Sequence, residues 1–104
     1  MKRKNKRSII NIRKNKIMKR WTQIFKALSN INRVKIIKML SRRERMNVSE
    51  IAEELDISHK ATSKHLILLH NLDVLTNKGK DNRVEYWLNP NIPTDIKNTI
   101  KLFT

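Results

Sequence analysis

The sequence predicts a mainly α-helical domain with a small β-hairpin, in the order helix-helix-helix-helix-strand-strand-helix. Three observations predict it. Apolar residues recur at helical spacing from Ile17 to Leu72. The period then changes to alternation over residues 74–88, which hold the single glycine, Gly79. A last helical stripe follows Pro93. At 104 residues there is room for one domain, or one domain with a tail. A chain this short buries only roughly 60–65% of its unfolded surface, so pairing with a second copy would add stability.

The first helix carries Ile17, Trp21, Ile24 and Leu28 on one stripe, widened by Met18 and Phe25. We place it over residues 17–29; Ile10, one heptad before Ile17, offers a register for an earlier start. Asn30 is the expected N-cap of a second helix over 31–42, with Val34, Ile36, Ile37, Met39 and Leu40 apolar. Asn47 with Glu50 forms a capping-box pattern that opens a short third helix burying Ile51, Ala52 and Leu55. Asp56-Ile57-Ser58 is a turn, and Ser58 caps a fourth helix over 59–72 in which Thr62, Leu66, Leu69 and Leu72/Asp73 repeat at helical spacing. Strands over 74–77 and 83–88 flank a turn at 78–82 marked by Gly79. Ile92, Ile96, Ile100 and Phe103 then line a short helix over 93–104.

Charge is unevenly placed. Lys and Arg total 24 against 9 acids, a net +15. Residues 1–43 hold 16 of the basic residues and no acid, whereas 44–104 hold 8 Lys/Arg and all 9 acids. A basic front end thus sits on a near-neutral body, a field that attracts phosphate polyanions or anionic lipid heads, or simply solubilises. Residues 1–16 are read as a flexible basic arm, since like charges packed this closely repel, and 17–104 as the domain. Zero cysteines exclude disulfides, thiol catalysis and thiolate metal sites. The longest apolar run, Leu66 to Leu69, is far short of a membrane span, and no stretch of signal-peptide length follows the start. The expectation is a soluble, cytoplasmic chain.

Residues 47–72 are two short helices joined by a three-residue turn, a helix-turn-helix. A helix that enters the major groove needs small and polar side chains near its N-terminus, where bulky apolar groups would block entry. His59-Lys60-Ala61-Thr62-Ser63-Lys64-His65 meets that need, with Lys60, Ser63 and Lys64 on one side and Leu66 and Leu69 opposite. The bland alternative is a solvated helix face with two lysines.

With these residues in place the chain resembles the ArsR/SmtB-type winged helix-turn-helix transcriptional regulators over residues 24–88. The resemblance rests on Phe25-Lys26-Ala27-Leu28-Ser29, Arg33 with Ile36-Ile37-Lys38-Met39-Leu40, and Val48-Ser49-Glu50-Ile51-Ala52. Thr62-Ser63-Lys64-His65-Leu66 with Leu69, and Tyr86-Trp87-Leu88, complete it. It implies a homodimeric repressor of double-stranded DNA that reads a near-palindromic operator. The fourth helix would lie in the major groove and hairpin 74–88 would be the wing. Candidate DNA contacts are His59, Lys60, Ala61, Ser63, Lys64 and His65 on the helix and Lys78, Lys80 and Arg83 on the wing. Lys2, Arg3, Lys4, Lys6 and Arg7 in the arm are candidates for phosphates or the minor groove. The resemblance places the dimer contact on the terminal helices, and the stripes Ile17, Trp21, Ile24, Leu28 and Ile96, Ile100, Phe103 match that placement.

Three departures from the family pattern stand out. Asp73 occupies the place of a left-handed glycine, and Ile31 that of a helix-starting proline. Where metal-sensing members carry a cysteine-containing pair, this chain reads Leu55-Asp56-Ile57-Ser58, and its last helix offers only Asp95. His59, His65 and His70 are 6 and 5 residues apart, which puts no two at the i, i+3 or i, i+4 spacing that helical metal ligands use. No metal or cofactor is therefore expected. Two other functions compete: an architectural winged-helix protein that binds nucleic acid without sequence preference, and a winged-helix protein-interaction module. Nothing in the chain pairs a nucleophile with a base or cradles a phosphate with glycines, so an enzyme is not expected.

Overall fold

Helix α1 spans Lys6–Leu28, eleven residues longer at its start than the stripe from Ile17 predicts. The computed structural model describes residues 6–104, so Lys2, Arg3 and Lys4 lie outside the described residues. Residues 6–16, expected in a flexible arm, are helical. Lys, Arg and Ile carry small helix penalties, and Ile10 continues the Ile17–Ile24 register, so propensity and pattern outweigh charge repulsion along this stretch.

α2 spans Ile31–Arg42, and the Asn30 side chain accepts from the N–H groups of Asn32 and Arg33, as its capping role requires. α3 spans Val48–Leu55 and opens with a full capping box between Asn47 and Glu50, at 2.8 and 3.0 Å. α4 spans His59–Asn71, with the Ser58 hydroxyl accepting from the Ala61 N–H at 3.0 Å. α5 covers Thr94–Ile100 and is shorter than the 93–104 expected. Asp73 has φ 63, so it takes the left-handed conformation that the family pattern gives to glycine.

Two further corrections concern strands. A strand β1 of two residues, Met46–Asn47, pairs antiparallel with β3, opposite Tyr86 and Glu85, and makes the hairpin a three-stranded sheet in the order β1-β3-β2. Within the hairpin, β2 spans Leu75–Lys80 and β3 spans Arg83–Leu88. Gly79 is not in the turn; it pairs with Val84, and it has no positive φ. The turn is Asp81-Asn82, at φ 50 and 63, two residues that tolerate this backbone in tight hairpins.

The core gathers Ile24 and Ala27 of α1, Ile36, Ile37 and Leu40 of α2, and Ile51 of α3. Leu66, Leu69 and Leu72 at α4, Met46, Val74, Leu75 and Tyr86 by the sheet, and Ile96 and Ile100 of α5 complete it. Its buried polar side chain, Thr62, donates its hydroxyl to the Ser58 carbonyl at 2.9 Å. Arg20 ties the ends of the chain together: Nε meets Asp95 Oδ2 at 3.2 Å and Nη2 donates to the Leu72 carbonyl at 2.9 Å. The described residues extend over 60 × 30 × 24 Å. The long dimension is consistent with α1 reaching past the core, where Ile10, Ile12, Ile17 and Met18 are exposed.

Candidate nucleic-acid interface

The α3–α4 corner fixes the face of the candidate reading helix. The last turn of α3 is reversed by Asp56 in the left-handed conformation, φ 53, whose N–H bonds back to the Ala52 and Glu53 carbonyls. Ser58 then restarts the helix. Thr62, Leu66 and Leu69 are fully buried, and their i, i+4, i+7 spacing turns the opposite face outward. On that outward face Lys60 and Lys64 are exposed, and Ser63 is half-buried between them. The structure therefore brings Lys60, Ser63 and Lys64 together on an open surface. His59 is exposed and Ala61 half-buried, so no bulky apolar group stands at the N-terminal end of α4.

His65 has a different environment. Its Nδ1 lies 3.1 Å from Arg33 Nη1, and a guanidinium has only donors, so Nδ1 accepts and the ring hydrogen sits on Nε2. Burial, and then the Arg33 charge, hold the imidazole below its ordinary pKa. Arg33 also donates from Nε to the Ala27 carbonyl at 2.7 Å and from Nη2 to the Lys26 carbonyl at 3.0 Å. Those carbonyls belong to the last turn of α1, where no in-helix N–H reaches them. One side chain thus joins the end of α1 to the middle of α4. No local pattern marks Arg33 for this role; its one signal is its place in the second helix of the family pattern.

On the hairpin, Lys78 and Arg83 are exposed, and Lys80 stands opposite Arg83 at the end of the ladder. His59 and Arg83 line one groove of about 350 Å³, together with Asn47, Glu50 and Glu53. Two acids in that groove limit the positive field to its α4 and hairpin edges. Arg45, which carried no expectation, stacks its guanidinium 4.1 Å from the centroid of Trp87, bracing β1 against the outer face of β3. Lys6 and Arg7 of the expected arm fall in the first turn of α1.

The expected dimer stripe divides in two. Ile24 and Ile96 are fully buried and Ile100 nearly so, all within this chain's own core. They are corrected from interface to interior, because spacing fixes a face of a helix but not what covers it. Trp21, Leu28 and Phe103 are half-buried against that core, and Ile17 is 58% exposed. Phe25, 62% exposed and 5.5 Å from Trp21 between ring centroids, extends the open part of the stripe.

Residues 30–76 match the family model described as bacterial regulatory protein, arsR family. The matched stretch runs from the N-cap of α2 into β2, and so contains the whole α3–α4 corner. Over that stretch the chain is similar to the ArsR family. It is similar to the arsenical resistance operon repressor of Escherichia coli, at 34% identity over 71 residues, which are 68% of this chain and 61% of that protein. The chain spans about 61% of the length of the curated relatives it matches. Among solved structures it is similar to HlyU from Vibrio cholerae, at 28% identity with a TM-score of 0.69, covering 84% of this chain and 90% of that one. A winged helix-turn-helix DNA-binding domain from Mycobacterium bovis, described as homodimeric, shares the fold at 21% identity and a TM-score of 0.72, over 86% of this chain and 80% of that one.

The chain has Leu55-Asp56-Ile57-Ser58 at the α3–α4 corner and no cysteine in its sequence. Asp95 on α5 is engaged by Arg20 and by the Ile96 N–H. Among the described residues no three His, Asp or Glu side chains are grouped to hold a metal ion, and no helix is long and apolar enough to cross a membrane.

Proposed function

We propose that the chain is a homodimeric transcriptional repressor of the bacterial cytoplasm that reads a near-palindromic operator in double-stranded DNA. The observation that carries this reading is the open face of Lys60, Ser63 and Lys64 on α4, held outward by the buried Thr62, Leu66 and Leu69. Lysines and hydroxyls on such a face bond base edges and phosphates in the major groove. Lys78, Lys80 and Arg83 on the hairpin would meet flanking backbone as the wing, with Lys2, Arg3, Lys4, Lys6 and Arg7 adding phosphate contacts. The free N–H of His65 and the exposed imidazole of His59 complete the reading surface.

The partner copy is a second chain of the same kind. Ile17, Met18 and Phe25 are each more than half exposed along α1, and a stripe of this kind is ordinarily covered in a paired assembly. Pairing through α1, with Trp21, Leu28 and Phe103 at its edge, would set two α4 helices on successive major grooves about 34–36 Å apart. The repressor and regulator relatives support the same reading. Without a thiol, its signal is not a metal held by cysteine.

Selection of bound sequences from a random duplex pool tests this. A two-fold symmetric consensus with half-sites one helical turn apart is the expected result. Recovery of no consensus, with affinity falling with salt alike on every duplex, would replace the reading with architectural binding driven by counterion release.

A further inference from the structure

Between α1 and α4 runs an open groove of about 460 Å³, within the roughly 300–1,000 Å³ of small-molecule sites. Ala27, Ile67, Leu68 and Leu72 are its apolar lining, and Lys26 and Lys64 line it together with the amides of Gln23 and Asn71. Ile67 is 53% exposed, a branched apolar side chain beside the reading face that the fold leaves uncovered. Every acid of the chain lies among the described residues, and neither lysine is in an ion pair with one. Lys26 is nine residues from Ile17, about two and a half helical turns, so it leaves α1 on the side opposite Ile17 and about a quarter turn from Met18 and Phe25.

An apolar trough flanked by two unpaired ammonium groups is complementary to one kind of occupant, an anion with an apolar body. We propose that this groove is the binding site of an amphipathic organic monocarboxylate, whose carboxylate pairs with Lys26 and Lys64 and whose hydrocarbon body lies on Ile67, Leu68 and Leu72. The regulatory part rests on the DNA-binding reading above. Lys64 belongs to both surfaces, so a carboxylate that holds it removes a cation from the DNA face and adds a negative charge beside it. The bound ligand would therefore release DNA.

The test is calorimetric titration of the full chain with decanoate, alongside butanoate and decyltrimethylammonium. Anisotropy of a labelled duplex from the selection is followed in the same solutions. Expected are saturable binding of one decanoate per chain, at least about tenfold weaker binding of butanoate through its lost methylene contacts, and no binding of the cation. Ile67→Gln alters an exposed side chain and Lys26→Gln lies outside the DNA face. Each should weaken decanoate about tenfold while leaving DNA affinity without decanoate unchanged. Absence of saturable decanoate binding to the natural chain overturns the site, as does equal binding by both variants or by the cation. Decanoate binding that leaves DNA affinity unaltered overturns the release. A chain that takes decanoate but binds no duplex would fail the repressor reading alone, because calorimetry decides the site without DNA.

Discussion

Arg33→Ala should be among the most damaging single changes on the surface of this domain. The guanidinium is the partner of the Ala27 carbonyl at 2.7 Å and shares the Lys26 carbonyl at 3.0 Å with the Ser29 hydroxyl at 2.7 Å. It also meets His65 Nδ1 at 3.1 Å. A hydrogen bond from a charged donor contributes about 1.5–3 kcal/mol, and an orphaned acceptor costs about as much as its desolvation. The Lys26 carbonyl keeps Ser29 and the site is partly open to water, so the three contacts together are worth about 2–3 kcal/mol rather than their sum. For a domain of this size about 4–8 °C of melting temperature accompanies each kcal/mol, which gives a fall of roughly 10–20 °C. Urea denaturation of Arg33→Ala and Arg33→Lys at one fixed protomer concentration measures it, and lysine, with a single ammonium, should recover less than half. A loss below about 0.5 kcal/mol would refute the view that Arg33 secures the end of α1 to α4.

The same pair gives a pH dependence. His65 titrates below its unfolded value because of burial and the Arg33 charge, so the unfolded chain binds the extra proton first. The stability this lends is complete above about pH 6.5 and is lost as pH falls through the lower folded value; a stability profile of His65→Gln between pH 7.5 and 5 should be flatter than that of the natural chain. In the hairpin, a Cβ at Gly79 would meet only the Arg83 carbonyl, at 3.8 Å, so Gly79→Ala should be neutral or stabilise by up to about 1 kcal/mol. Asn82→Val, at φ 63, should cost about 1–2 kcal/mol, and thermal melts that reverse this order would return the turn to the glycine. Ile17→Glu with Phe25→Glu should shift sedimentation of the chain towards the monomer without unfolding it, since both side chains are exposed; an unchanged dimer would move the interface elsewhere.

What the sequence made legible was local. Asn30, Asn47 and Ser58 each bond backbone N–H groups two or three residues on, so their helix starts follow from neighbours in the chain. Thr62, Leu66 and Leu69 likewise point inward by spacing alone. The start of α1 is not legible because no cap marks it, and the helix propensity of its basic residues outweighs their mutual repulsion. β1 was missed because two residues carry no period; only Tyr86 and Glu85, some forty positions away, make Met46–Asn47 a strand. Gly79 drew the turn to itself, although Asp81 and Asn82 adopt positive φ just beyond it. A stripe does not say which surface covers it, and Ile24, Ile96 and Ile100 are covered by this chain's own core. Arg33 and His65 needed the packing of α1, α2 and α4, which no local pattern contains.

The face of α4 is tested most directly by one binding measurement. The affinity of the natural chain and of Lys60→Ala/Lys64→Ala for the selected duplex and for a scrambled one is determined at about 0.15 M salt. The natural chain should prefer the selected duplex by about a thousandfold or more, and the double variant should lose about 1–3 kcal/mol for each base-contacting side chain, taking most of that preference with it while remaining folded. A double variant that distinguishes the two duplexes as well as the natural chain does would contradict the placement of α4 in the major groove.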